Sequence, residues 1–191
     1  MNWLSILSFE FRYRRNRPAT YLFFALLLGL SFATVTTDLI QGLSGGAVKD
    51  NATMVVVRIS LVLFMLMGVL ISSAIMGVSV VRDFEHRTDA LFFTKPIRRW
   101  EFLTGRYLGA MSILLLTLAA IPLGLMLGEV APWRNADRLL PFRAATYWQP
   151  YWTIIVPNAL IVGSIFFTVG ALSRKMLVVF TQGMVFLMLY L

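Results

Sequence analysis

Runs of about 20 apolar residues leave a chain few choices of fold, because that is the length a helix needs to cross the hydrocarbon core of a bilayer. Four such runs occupy residues 18–37, 54–81, 102–127 and 152–172, with Lys and Arg clustered at their ends. Lipid offers no hydrogen bonds, so each backbone N–H and C=O in such a run must be paired within the protein, which selects the helix. The expected fold is an all-α, polytopic transmembrane helical bundle. A fifth run begins at Met176 and reaches Leu191, about 16 residues and short of the roughly 20 required. A span ending there would leave carbonyls unpaired in hydrocarbon, so the expectation is a fragment of a longer chain. Composition agrees: 59% of the residues are hydrophobic and 14% charged, against about 25% charged in soluble domains.

The net charge of +8 would suit nucleic acid. The basic residues, however, gather in short clusters beside apolar runs, which is the membrane-protein pattern, so no nucleic-acid partner is expected. Cysteine is absent, excluding disulfides, thiolate catalysis and Cys-based metal sites. His86 is the single histidine and lies in a charged loop, where a solvated side chain is the ordinary reading. The acids Glu10, Asp38, Asp50, Asp83, Glu85, Asp89, Glu101, Glu129 and Asp137 fall at run ends or in loops. No proton relay or metal site assembles within the spans, which argues against proton-coupled transport and intramembrane proteolysis. The expectation is a chain that is not an enzyme, with no catalytic residue, metal or bound cofactor.

Arg12, Arg14, Arg15 and Arg17 precede the first run and imitate the start of a signal peptide. The run is as long as a span and no small-residue cleavage site follows, so it reads as a retained anchor. Residues 1–17 pattern as an amphipathic helix, with Trp3, Leu4, Leu7 and Phe11 on one side and Ser5, Ser8, Arg12 and Arg15 on the other. Such a helix lies in the membrane interface, either as a simple anchor or as an elbow that braces a moving domain. Glu10 falls near the apolar arc, four residues before Arg14, a spacing that pairs charges on a helix. With alternating spans, one side collects Arg12, Arg14, Arg15, Arg17, Arg82, Arg87, Lys95, Arg98, Arg99, Arg106, Arg174 and Lys175. The other side has Lys49, Arg58, Arg134, Arg138 and Arg143, so the N-terminus is expected to be cytoplasmic. Trp133, Tyr147, Trp148, Tyr151 and Trp152 pattern as an aromatic belt at headgroup level. Asn51-Ala52-Thr53 matches a glycosylation pattern that often arises by chance.

Small residues recur at four-residue spacing: Gly68 with Ser72, Ser73 with Gly77, Gly105 with Gly109, and Gly124 with Gly128. This spacing lets helix backbones approach closely, whether within one subunit or across a subunit or sliding interface.

The most charged stretch is RDFEHRTDALFFTKPIRRWEF, residues 82–102. Asp83 and Arg87 form a helical pair spacing, which extends the second span toward Phe93. Pro96 ends that helix and suits the start of the next. The result is a hairpin over residues 82–101. Leu91, Phe92 and Phe93 lie near its tip, ringed by Arg82, Asp83, Glu85, Arg87, Arg98, Arg99 and Glu101. An apolar knot with a charged rim has the make-up of a protein interface. The alternative is that the knot folds back onto the membrane surface.

The longer stretch VVRDFEHRTDALFFTKPIRRWEFLTGRYLGA resembles the first cytoplasmic loop of ABC-2 type transporter permeases. The shared features are an acidic-basic segment, a Thr-x-Pro turn and a Gly-Arg-x-x-Gly opening of the third span. FEFRYRRNRPATYLFF and VPNALIVGSIFFTVGALSRK are similar to the subgroup whose permease is fused to an M1-type aminopeptidase domain. The resemblance covers most of the chain. It implies a type V-like exporter bundle in a bacterial inner membrane, with more spans than the chain displays, working with a second permease copy or homologue. It also implies a separate ATPase subunit that holds ATP and Mg. That subunit would dock on Arg82, Asp83, Glu85, Arg87, Leu91, Phe92, Phe93, Pro96, Arg98, Arg99 and Glu101. An M1 peptidase needs His-Glu-x-x-His for zinc. That motif is absent here, so any peptidase lies beyond Leu191. The spans are rich in Met, Phe, Ser and Thr, which would suit an amphiphilic cargo better than an ion. A second reading is a non-transport scaffold whose loop recruits a soluble partner and whose outer loops hold a periplasmic domain. A channel or secondary transporter would ordinarily show buried charges within its spans.

Overall fold

The computed structural model describes residues 3–37, 49–85, 99–132, 137 and 139–190, and no strand occurs among them. Helix α1 (Trp3–Arg15) turns into α2 (Pro18–Thr36), with Pro18 in the first turn, where its missing N–H costs no helical bond. Helix α3 (Thr53–Leu63) passes through a π-turn at Phe64–Gly68 into α4 (Val69–Glu85). Helix α5 (Arg99–Leu118) breaks at Ala119 and resumes as α6 (Ala120–Glu129). Helix α7 (Ala144–Pro150) passes through a second π-turn, Tyr151–Ile155, into α8 (Val156–Ser173), and α9 (Met176–Tyr190) follows.

Four of the resulting helices are long and apolar enough to cross a membrane: Pro18–Thr36, Thr53–Ser79, Trp100–Glu129 and Ala144–Ser173. They mark a membrane protein. A shorter apolar helix covers Leu177–Leu189. The fourth span begins at Ala144, where the sequence places a loop. The expected aromatic belt is therefore partly helix, and Tyr147 and Tyr151 point inward and are buried. They can be buried because each hydroxyl has an acceptor inside the bundle: Glu129 for Tyr147, and the Leu115 carbonyl, 2.8 Å away, for Tyr151.

The third span is the hub. In its most apolar window 61% of residues are buried, against 17% in the first span, so the other helices are arranged around it. Small residues set the approach distances. A Cβ added at Gly124 would lie 2.6 Å from the Leu28 carbonyl oxygen and 2.6 Å from Ser31 Cβ, and one at Gly128 would lie 2.9 Å from Val35 Cβ. Helix α2 thus lies directly on α6, backbone against backbone. Helix α9 lies on α4 in the same manner: a Cβ added at Gly77 would lie 2.3 Å from Val179 Cγ1, and one added at Gly183 would lie 2.7 Å from Ser73 Oγ. A Cβ added at Gly68 would lie 3.3 Å from Leu118 and 2.8 Å from Phe64 of the preceding turn, while Ser72 and Gly105 are buried.

Three helix irregularities share one level of the bundle. Pro122 has no N–H to offer the Leu118 carbonyl, and the third span breaks at Ala119. Leu118 touches Gly68 at the end of the second span's π-turn. Tyr151, which opens the fourth span's π-turn, donates its hydroxyl to Leu115, less than one turn before Leu118. The hydroxyls of the spans do not point to a polar pathway. Ser31, Ser72, Ser112, Thr117 and Ser164 each donate to the carbonyl four residues back in their own helix, as small polar side chains do in lipid.

The α2–α6 seam predicts a contrast between two glycines. Gly124→Val should push α2 off α6 and destabilise the protein by about 1–3 kcal/mol. Gly29, with nothing near its added Cβ, should tolerate Gly29→Ala, which favours the helix. Thermal unfolding of the two variants in detergent measures the difference.

Candidate functional site

The structure describes the two helix ends that flank the stretch expected to form the charged hairpin. Arg82, Asp83 and Glu85 lie on the closing turns of α4, and Arg99 and Glu101 on the opening turn of α5. Arg87, Leu91, Phe92, Phe93, Pro96 and Arg98, and with them the expected helix extension to Phe93, lie outside the described residues.

Beneath the hairpin the two stems are joined. Arg106, counted from sequence among the cytoplasmic charges, is 3% exposed. Its Nη1 donates to the Ser79 carbonyl of α4, and its guanidinium sits 4.7 Å from the centre of the Phe102 ring, one turn back on α5. A charged donor on a neutral carbonyl makes a strong hydrogen bond, and the ring face attracts the same cation. The next residue ties α5 to α8: Tyr107 shares a hydrogen bond of 2.8 Å with Ser164, and its ring packs edge-on to Phe167 at 5.3 Å. Gly109, one turn further, admits α1, since an added Cβ would lie 2.9 Å from Glu10 Cβ and 3.4 Å from the Leu7 carbonyl oxygen. The Gly-Arg-x-x-Gly opening of the third span therefore touches the second span through its arginine and α1 through its second glycine.

Helix α1 packs the stripe of Ile6, Glu10 and Arg14 against the bundle. Ile6, Glu10 and Arg14 are buried, while Leu7 and Phe11 are half-buried and Phe9 is exposed. Glu10 and Arg14 form an ion pair of 2.8 Å. The pair can enter the interior because each charge offsets the other, and removing one partner of such a pair costs about 3–5 kcal/mol. The four-residue spacing was legible in the sequence. That this pair would face protein could be read only from the glycine opposite it.

A second polar cluster closes the other end of the bundle. Asn51, in the turn before α3, donates Nδ2 to Glu129 Oε1 at 2.8 Å and to the Leu140 carbonyl at 2.8 Å. Its Oδ1 accepts the Leu140 N–H at 2.7 Å. Tyr147 donates to the other oxygen of Glu129, and Lys49 donates to the Asp137 carbonyl. Spans two, three and four and both connecting segments thus meet at Asn51 and Glu129. Asn51 is buried with both amide atoms engaged, which withdraws the glycosylation pattern from modification in the folded chain. Sequence reading did not single out this cluster, because its members are distant in the chain.

Among the described residues no group of three or more His, Cys, Asp or Glu side chains is placed to hold a metal ion. No protein-family model, curated protein or solved structure matches the chain.

Losing Asn51 should cost about 2 kcal/mol, since it makes three hydrogen bonds at roughly 0.5–1.5 kcal/mol each. Tyr147→Phe should cost about 1 kcal/mol. Because both side chains meet on Glu129, Asn51→Ala with Tyr147→Phe should destabilise by less or more than the sum, an interaction that a double-mutant cycle in thermal unfolding would expose.

Proposed function

We propose that the chain is the membrane-spanning permease subunit of an ATP-binding-cassette exporter in a bacterial inner membrane. It hydrolyses nothing itself. A partner ATPase, carrying ATP and Mg, grips the charged hairpin, and its cycle tilts the second and third spans to move a substrate across or out of the membrane. A second permease copy or homologue completes the transporter, and the N-terminus with α1 lies on the cytoplasmic side.

The observation that carries this reading is the joint at the base of the hairpin. A force applied to residues 86–98 reaches α4 and α5 together, because Arg106 holds the Ser79 carbonyl. It then reaches α8 through Tyr107 and α1 through Gly109. The resemblance of residues 80–110 to ABC-2 permeases supports the same reading.

The test is to purify the chain with a co-expressed candidate ATPase and measure association and ATP turnover. Phe92→Ala with Phe93→Ala should weaken association at least tenfold, the scale of an interface anchor lost. Arg106→Gln should leave association intact and lower the turnover that the membrane subunit stimulates. Unchanged association and turnover in all variants would remove the coupling reading. Association that depends on Phe92 and Phe93 while turnover never responds to the membrane chain would favour the scaffold.

A further inference from the structure

The N-terminal helix ends in a basic cluster that the proposed function does not use. Arg12, Arg15 and Arg17 are exposed, while Arg14 turns inward to Glu10. Glu10 is the one acid in residues 1–37, and it is already paired, so the cluster has no carboxylate of its own segment to neutralise it.

The cluster is held in shape. The Arg17 N–H donates to the Arg14 carbonyl at 3.0 Å, and the Thr20 hydroxyl donates to the same oxygen at 2.9 Å. The Asn16 N–H reaches the Arg12 carbonyl at 3.3 Å. Along one flank, Phe9 and Tyr13 stack with ring centres 6.3 Å apart, and the Arg17 guanidinium lies 4.5 Å over the Tyr13 ring. Arg12 and Arg15 thus sit on the last turn of α1 and Arg17 on the pinned turn that follows, so less backbone ordering remains to be done when an anion arrives.

The position selects the anion. Arg17 immediately precedes Pro18, the first residue of a membrane-length helix. Tyr21 and Leu22, within the next turn, are 60% and 64% exposed. A ligand that meets both the cations and this apolar flank must carry negative charge at one end and hydrocarbon at the other. Nucleic acid and acidic proteins match only the charge.

We propose that Arg12, Arg15 and Arg17 bind the headgroup phosphate of an anionic phospholipid, with its acyl chains along the exposed Tyr21 and Leu22 of α2. A basic cluster beside a span attracts anionic lipid by about fivefold for each arginine near the surface, and the attraction fades with salt. The site makes α1 a lipid-selective clasp, bound on its inner stripe to Gly109 and on its outer stripe to a headgroup.

The experiment uses the full chain in detergent with phosphatidylglycerol and phosphatidylcholine, and native mass spectrometry reads the lipid that stays bound. The wild type should retain phosphatidylglycerol in preference. Arg12→Gln with Arg15→Gln and Arg17→Gln should cut that preference by on the order of a hundredfold. Arg58→Gln with Arg143→Gln, which removes exposed arginines at two separate spans, should cut it much less than the triple variant, because those two form no cluster. Rising salt should weaken the preference in the wild type, a readout that needs no variant. Equal retention of the two lipids by the wild type overturns the proposal. So does equal loss in the control variant, which would reduce the effect to net charge, or displacement by glycerol phosphate at matched concentration, which would make the site one for free anions. Loss of ATPase association in the triple variant with its lipid preference intact would assign the cluster to a protein partner instead. The lipid measurement contains no ATPase, so its outcome is separate from that of the transport reading.

Discussion

Hydrocarbon cannot hydrogen-bond a peptide group, and the architecture follows from that one constraint. The described backbone is helical wherever the chain is apolar over membrane length. Near the break of the third span, Tyr151 reaches across from the fourth span to the Leu115 carbonyl, which also accepts the Ala119 N–H. Helices bend at prolines and π-turns. Here a proline break and two π-turns sit at one level around Leu118 and Tyr151, in the three spans that the polar clusters join at either end.

The polar clusters do different work from the apolar core. Leu27, Met76, Leu114, Ile121 and Phe166 are buried but non-directional. Lipid tails are as apolar as leucine, so burial of such residues cannot by itself decide which helix lies beside which. Close approach at glycine and directed hydrogen bonds decide it. Gly124 and Gly128 select α2, Gly77 and Gly183 join α4 to α9, and Gly109 admits α1 with its buried ion pair. Arg106 and Tyr107 then hold the second and fourth spans against the opening turns of the third. This is the structural basis on which the proposed lever rests. Motion of the hairpin stems would be shared among helices because side chains, not lipid, connect them.

Much of this was legible in advance, residue by residue. The apolar runs predicted the four membrane-length helices, since length and hydropathy are properties of contiguous sequence. The Glu10–Arg14 spacing predicted the pair, and small-xxx-small spacing picked out Gly124 and Gly128. The wheel of α1 sorted apolar from polar residues for a membrane interface, but it did not show that Ile6, Glu10 and Arg14 pack against protein beside Gly109. The helix that carries the fourth apolar run begins at Ala144, ahead of the run itself at Trp152, in a stretch whose Pro150 and aromatics pattern as a loop. Only the acceptors on Glu129 and Leu115 make their burial favourable. Arg106 looked like one more surface charge because nothing in its neighbourhood names Ser79, a residue on another helix.

Sequence by itself determined that this is a helical membrane protein, which segments are apolar over membrane length, and where charge collects. Those properties depend on the local match between side chains and the bilayer. Tertiary structure alone decided which glycine faces which helix, that Arg106 is a tie between spans, and that Asn51, Glu129 and Tyr147 form a single cluster. Those facts depend on residues that are far apart in the chain, and their energies arise from distance and direction, which a linear pattern does not contain.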